Sequence, residues 1–99
     1  ITWVTGTHSS GTVTLNLDTS LNHNLTIGGN VTMASPSNAD VGKTGDIVLS
    51  LTADAVVSWH ANWKFLQNVP DIGKSGQLWV ISYKVLDSNR ILACGAKAV

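Results

Sequence analysis

Short runs of alternating apolar and polar residues recur at roughly ten-residue intervals along this 99-residue chain, and no window carries the period of a helix. The pattern is clearest from Thr12 to Asp18, where Val13, Leu15 and Leu17 face one way and Thr12, Thr14, Asn16 and Asp18 the other. Alternation resumes at Leu25-Thr26-Ile27, returns at Val31-Thr32-Met33, and continues over Asp46–Thr52 with Ile47, Leu49 and Leu51 inward. Ala55–Trp59, Gln77–Leu86 and Arg90–Cys94 supply three further strands. Side chains of period two occupy opposite faces of a pleated strand, so each run has one face to bury. Gln77–Leu86 carries bulk on both, with Trp79, Ile81, Tyr83 and Val85 on one and Leu78, Val80 and Leu86 on the other, as in a central strand covered twice.

Turn chemistry separates the runs. Asn22-His23-Asn24 reads as punctuation, Gly28-Gly29-Asn30 as a tight hairpin with positive φ, Ser35–Gly45 as a polar loop, Pro70–Gly76 as an aperiodic loop and Asp87-Ser88-Asn89 as a turn. About seven short strands with polar turns predict an all-β fold, a single antiparallel β-sandwich of jelly-roll type. Residues 1–11 are expected as a lead-in or linker and 12–99 as the sandwich domain. Because the alternation already begins at Ile1, which is not Met, the chain is expected to be a piece of a longer polypeptide.

Hydrophobic residues make up 43% of the sequence, enough for a core, whereas charged residues are only 12%, well below ordinary soluble domains. The surface is therefore left to Ser, Thr, Asn and Gly. Formal net charge is zero and there is no Glu, so no basic field draws nucleic acid or an anionic membrane, and no apolar run is long enough to span a bilayer. Weak charge repulsion and a small core favour residence in an assembly. Cys94 stands alone, which rules out an internal disulfide and points to a small buried hydrophobe in a chain that folds in a reducing cytoplasm.

The richest stretch for recognition is Val57–Phe65, which holds two of four tryptophans, the single phenylalanine and His60. Core anchoring is the leading reading of both indoles, with Trp59 placed inside and Trp63 open between core and surface. Trp3, Trp63, His60 and Asn62 form the candidate interaction surface, Trp3 being the better candidate for a contact between subunits. His60 could titrate in a way that alters assembly. His8, His23 and His60 are scattered and show no metal-ligand spacing, so no metal or other cofactor is expected. Asp18, Asp40, Asp54, Asp71 and Asp87 lie in turns, where their side chains bond nearby amides more cheaply than they would serve as a catalytic pair. No Gly-x-Ser-x-Gly elbow is present, and Gly42-Lys43-Thr44-Gly45 lacks the upstream glycine of a phosphate loop, so no catalytic residue is assigned.

The ordered series Thr12–Leu17, Leu25–Thr32, Gly45–Leu49, Val57-Ser58-Trp59, Trp63-Lys64-Phe65 and Val80–Val85 resembles the small β domains of tailed-bacteriophage virion proteins, carried on tail fibres, baseplate appendages and particle surfaces. The resemblance spans nearly all of Thr12 to Cys94. It implies a non-enzymatic structural or adhesion module of the virion, made in the host cytoplasm and acting in assembly or host attachment. Such modules often assemble as trimers with themselves and with other virion proteins. Capsid decoration or a head fibre is an alternative, as is a carbohydrate-binding module that would keep Trp59 or Trp63 exposed in a groove, beside Asn and Asp, for a host surface glycan.

Overall fold

The computed structural model describes residues 3–99, so Ile1 and Thr2, and with them the reading made at Ile1, lie outside the described residues. Among the described residues nine strands run in chain order: β1 (Trp3–His8), β2 (Thr12–Val13), β3 (Asn22–Ile27), β4 (Val31–Met33), β5 (Thr44–Leu51), β6 (Val57–Trp59), β7 (Trp63–Phe65), β8 (Leu78–Asp87) and β9 (Arg90–Lys97). The described residues contain no helix. A six-stranded sheet has the order β1-β3-β5-β8-β9-β7, and a three-stranded sheet the order β2-β4-β6.

The chain coils between the two sheets. Each of three successive turns lays one strand in the large sheet and the next in the small one, so that β1, β3 and β5 are parallel neighbours, as are β2, β4 and β6. Equivalent residues stack in register: Val4 beside His23 beside Ile47, and Gly6 beside Leu25 beside Leu49. A third side joins the turns through the parallel bridge Asn16–Ser37, where Leu17 N–H donates to the Ser37 carbonyl (3.1 Å) and Ser37 N–H to that of Leu15 (2.9 Å). After the third turn the coil gives way to a hairpin, with β8 antiparallel to both β5 and β9. β7 closes the edge parallel to β9.

The all-β expectation holds, but the sheets are mixed rather than antiparallel: five of the seven strand pairings are parallel. Alternation reports which side chains share a face and says nothing about strand direction or partner. Nine strands replace about seven, because residues 3–8, read as a lead-in, form β1, and because Trp63–Phe65 is a strand of its own. Gly28-Gly29-Asn30 is likewise no hairpin. It is the corner from β3 in one sheet to β4 in the other, and neither glycine has positive φ. The requirement at Gly29 is for closeness: a Cβ there would land on the Ser9 carbonyl oxygen of the corner in the turn below.

Inside the coil, Leu25, Ile27, Ile47, Leu49, Ile81, Val85 and Ile91 of the large sheet meet Val13, Val31 and Met33 of the small one in a single buried cluster. Each such side chain contributes roughly 1.5–3 kcal/mol on full burial. The inward assignments of Val13, Leu15, Leu17, Ile47, Leu49, Leu51, Trp79, Ile81, Tyr83 and Val85 agree with the alternation. His23, by contrast, is no turn residue. It faces inward from β3, 3% exposed, with Nε2 2.9 Å from the Ser20 carbonyl oxygen. Cys94 is exposed, not buried, because in β9 it occupies the outward position opposite Ser82.

Candidate interaction surface

The aromatic stretch builds the corner at which coil becomes hairpin cap. Trp59 stacks edge-on against Trp63 (centroids 5.2 Å apart, planes at 73°) and against Phe65 (4.8 Å, 77°), and Trp63 meets Tyr83 in the same way (6.1 Å, 86°). Edge-to-face pairs of this kind add about 0.5–1.5 kcal/mol each beyond the area they bury. Trp63 is 5% exposed and its indole N–H donates to the Ala34 carbonyl (3.0 Å), so it is a core anchor and leaves the set of surface candidates. Trp59 is half-buried; its Nε1 is enclosed without a hydrogen-bond partner among the described residues.

His60 and Asn62 have structural work at this corner. His60 N–H donates to the Met33 carbonyl (2.9 Å), its own carbonyl accepts from Trp63 N–H (3.0 Å), and its Nδ1 accepts from Asn62 N–H (3.0 Å). The Asn62 side-chain amide donates to Ser35 Oγ (3.0 Å), and its backbone carbonyl accepts from Ile91 N–H (2.8 Å). This turn therefore ties β4, β7 and β9 together. The His60 ring remains exposed.

Trp3 lies elsewhere. It sits on β1, one edge of the large sheet, whereas β7 beside the aromatic corner is the other edge, so the four sequence candidates do not converge. What Trp3 joins instead is the outer face of the large sheet, where it is 44% exposed and in register with Asn22. The Asn22 side-chain oxygen accepts from Asp46 N–H (3.1 Å), Ser82 Oγ donates to the Asp46 carboxylate (2.8 Å), and Ser82 lies opposite Cys94. The next row across the same face is Thr5, Asn24, Val48, Val80 and Ala96. Thr and Asn thus dominate near β1 and β3, and aliphatic residues near β8, where Leu78, Val80 and Leu86 are exposed. Among the described residues nothing supplies the cover expected on the second side of β8. A shallow hollow of about 330 Å³ between β8 and β9, lined by Leu66, Ser82, Lys84, Leu92 and Cys94, continues the aliphatic region. With Ile91 and Ala93 inward, period two places Leu92 and Cys94 on this face.

Four of the six aspartates, Asp18, Asp40, Asp54 and Asp87, form ion pairs. Arg90 Nε lies 2.7 Å from Asp87 and holds its carboxyl below the usual range, helped by the Asn89 N–H. Asp18 at 2.7 Å and Asp40 at 3.1 Å surround Lys43, and Asp18 is the main cause of its raised pKa. Asp54 and Asp71 share a cleft of about 530 Å³ with Asn30 and Lys74. Asp54 accepts from Ser75 N–H (2.9 Å), and both acids are exposed, without the apolar enclosure that keeps a general acid ready. Among the described residues no group of three or more His, Cys, Asp or Glu is placed to hold a metal ion. The sequence matches no family model, and neither curated proteins nor solved structures yield a match.

Proposed function

We propose that this chain is a non-enzymatic structural module of a tailed-bacteriophage virion, borne on a tail fibre or baseplate appendage, that associates with copies of itself through the outer face of the large sheet. The observation that carries the reading is the exposure of Leu78, Val80 and Leu86 on a ten-residue strand whose other face is fully packed. In a chain with so few charges, large aliphatic residues grouped on an ordered sheet mark a contact surface. Trp3 on the same face adds an amphipathic indole to its polar side. The associated architecture is a small sandwich, two sheets about one core, set around a three-fold axis.

Sedimentation equilibrium tests the reading. A trimer is expected, converting to a monomer of unchanged secondary structure on Val80→Asp, which alters the outer face and leaves the core intact. A monomer at all concentrations overturns it. The alignment of Trp3 with Asn22, an indole beside a hydrogen-bonding amide, favours a second reading in which this end of the face holds a host glycan. Loss of glycan-array binding on Trp3→Ala, with trimerisation intact, is its expected result.

A further inference from the structure

The geometry points to the β1/β2 end of the molecule as an acceptor for one more parallel turn of coil, a strand–corner–strand segment joined in cis ahead of β1. The inference rests on the fold alone and is independent of the oligomeric reading above. Both sheets end on the same turn: among the described residues β1 is paired only to β3, and β2 only to β4, so two strand edges of one turn lie open side by side. The turn-on-turn interface that joins the first to the second and the second to the third thereby continues, unfilled, at this end.

The inward row is less covered at this end. In the second turn His23, Leu25 and Ile27 are at most 3% exposed, and in the third Ile47, Leu49 and Leu51 at most 4%. Their first-turn counterparts Val4, Gly6 and His8 are half-buried. They line an open mouth of about 190 Å³ into the coil together with Val13, Leu15 and Leu25. Nor is the β1 edge blunted. Free strands are normally protected by charge, proline, a bulge or shortness. β1 is six residues, Trp-Val-Thr-Gly-Thr-His, with no charged residue and no proline. The opposite edge strand β7 has only three residues, one of them Lys64, and belongs to the hairpin cap. A second copy in the same orientation has no matching end to offer, because β8, β9 and β7 interrupt the coil there.

The offset between turns makes the proposal testable. His23 aligns with Ile47, a spacing of 24 residues. Joining a copy of residues 22–43 directly ahead of Ile1 reproduces that spacing, so that the grafted His, Leu and Ile fall on Val4, Gly6 and His8. Backbone amides of Trp3–His8 are expected to exchange about ten-fold more slowly or better in the extended chain, with β8 and β9 amides reporting that the parent fold is intact. A graft carrying Asp at the positions copied from Leu25 and Ile27 lacks the inward apolar row and is expected to give no such protection. Unchanged exchange in a folded extended chain, or equal protection from the Asp-bearing graft, overturns the proposal. So does protection of β1 that rises with concentration in the unextended chain, since a second copy would then occupy the edge.

Discussion

The Tyr83 hydroxyl donates a 2.7 Å hydrogen bond to the Leu21 carbonyl, in a space that exists because the residue opposite Tyr83 on β5 is Gly45. A Cβ at Gly45 would strike that same carbonyl oxygen and approach the Tyr83 hydroxyl to 2.9 Å. This bond ties the hairpin cap to the segment entering the second turn, two parts of the chain with no shared strand pairing.

Tyr83 is the chain's single tyrosine, and burial, then the nearby Asp46 carboxylate, pushes its pKa from 10.0 to about 12. The fold thus prefers the neutral phenol, so this contribution is fully present below about pH 10 and is lost as pH rises through about 12. Denaturant titrations are expected to show stability falling across that window. Tyr83→Phe should begin lower by about 1–2 kcal/mol, having left the Leu21 carbonyl unpaired, but should fall less steeply there. Lysines titrate in the same range, so the difference between the two profiles is the measurement. Parallel profiles would refute the account.

Adjacent glycines provide a sharper test of the stacked corners. At Gly28 an added Cβ meets nothing nearer than Thr52 Oγ1 at 3.4 Å, whereas at Gly29 it meets Ser9 backbone. Gly28→Ala should therefore be near neutral, and Gly29→Ala should cost about 3 kcal/mol through displaced backbone. Thermal melts of the two variants decide it. Were the segment a free hairpin turn, the two substitutions would not separate in this way.

These glycines also show what could be read in the sequence and what could not. Period-two alternation identified the inward residues of β5 and β8 because a pleated strand imposes that period whatever its partner. It could not show that β3 and β4, joined by Gly28-Gly29-Asn30, belong to different sheets, since a corner and a hairpin use the same residue types. His23 illustrates a signal outweighed by another: it continues the alternation of Leu25 and Ile27, yet two flanking asparagines suggested a turn. The candidate surface was half legible. Trp3 and the outer residues of Gln77–Leu86 were visible as apolar bulk expected to be covered, while the inward placement of Trp63 depends on the Ala34 carbonyl, a backbone group 29 residues away that no local pattern reveals.

Gln67 stands in the left-handed region, at φ 68°, in the exposed loop after β7. A side chain there costs about 1 kcal/mol or more, which glycine avoids at the expense of a more flexible unfolded chain. Gln67→Gly is expected to be neutral to slightly stabilising, and Gln67→Val destabilising by about 1–2 kcal/mol because its branched Cβ tolerates this conformation worst. Chemical denaturation of the pair measures the difference; equal midpoints would mean the loop relaxes freely.

Trp59 and Trp63 share one stack but differ in the fate of their indole N–H, and that difference predicts the order of their substitutions. Trp63→Phe removes the donor to the Ala34 carbonyl as well as ring area from the Tyr83 contact. Trp59→Phe removes a polar group enclosed without a partner, so the lost ring contacts are offset by relief of a desolvation cost of about 1–3 kcal/mol. Trp63→Phe should therefore be the more destabilising by about 1–3 kcal/mol, and Trp59→Phe close to neutral. Unfolding followed by fluorescence of the remaining indoles gives both values, and a reversed order would place the hydrogen-bonded anchor of this corner at Trp59 instead.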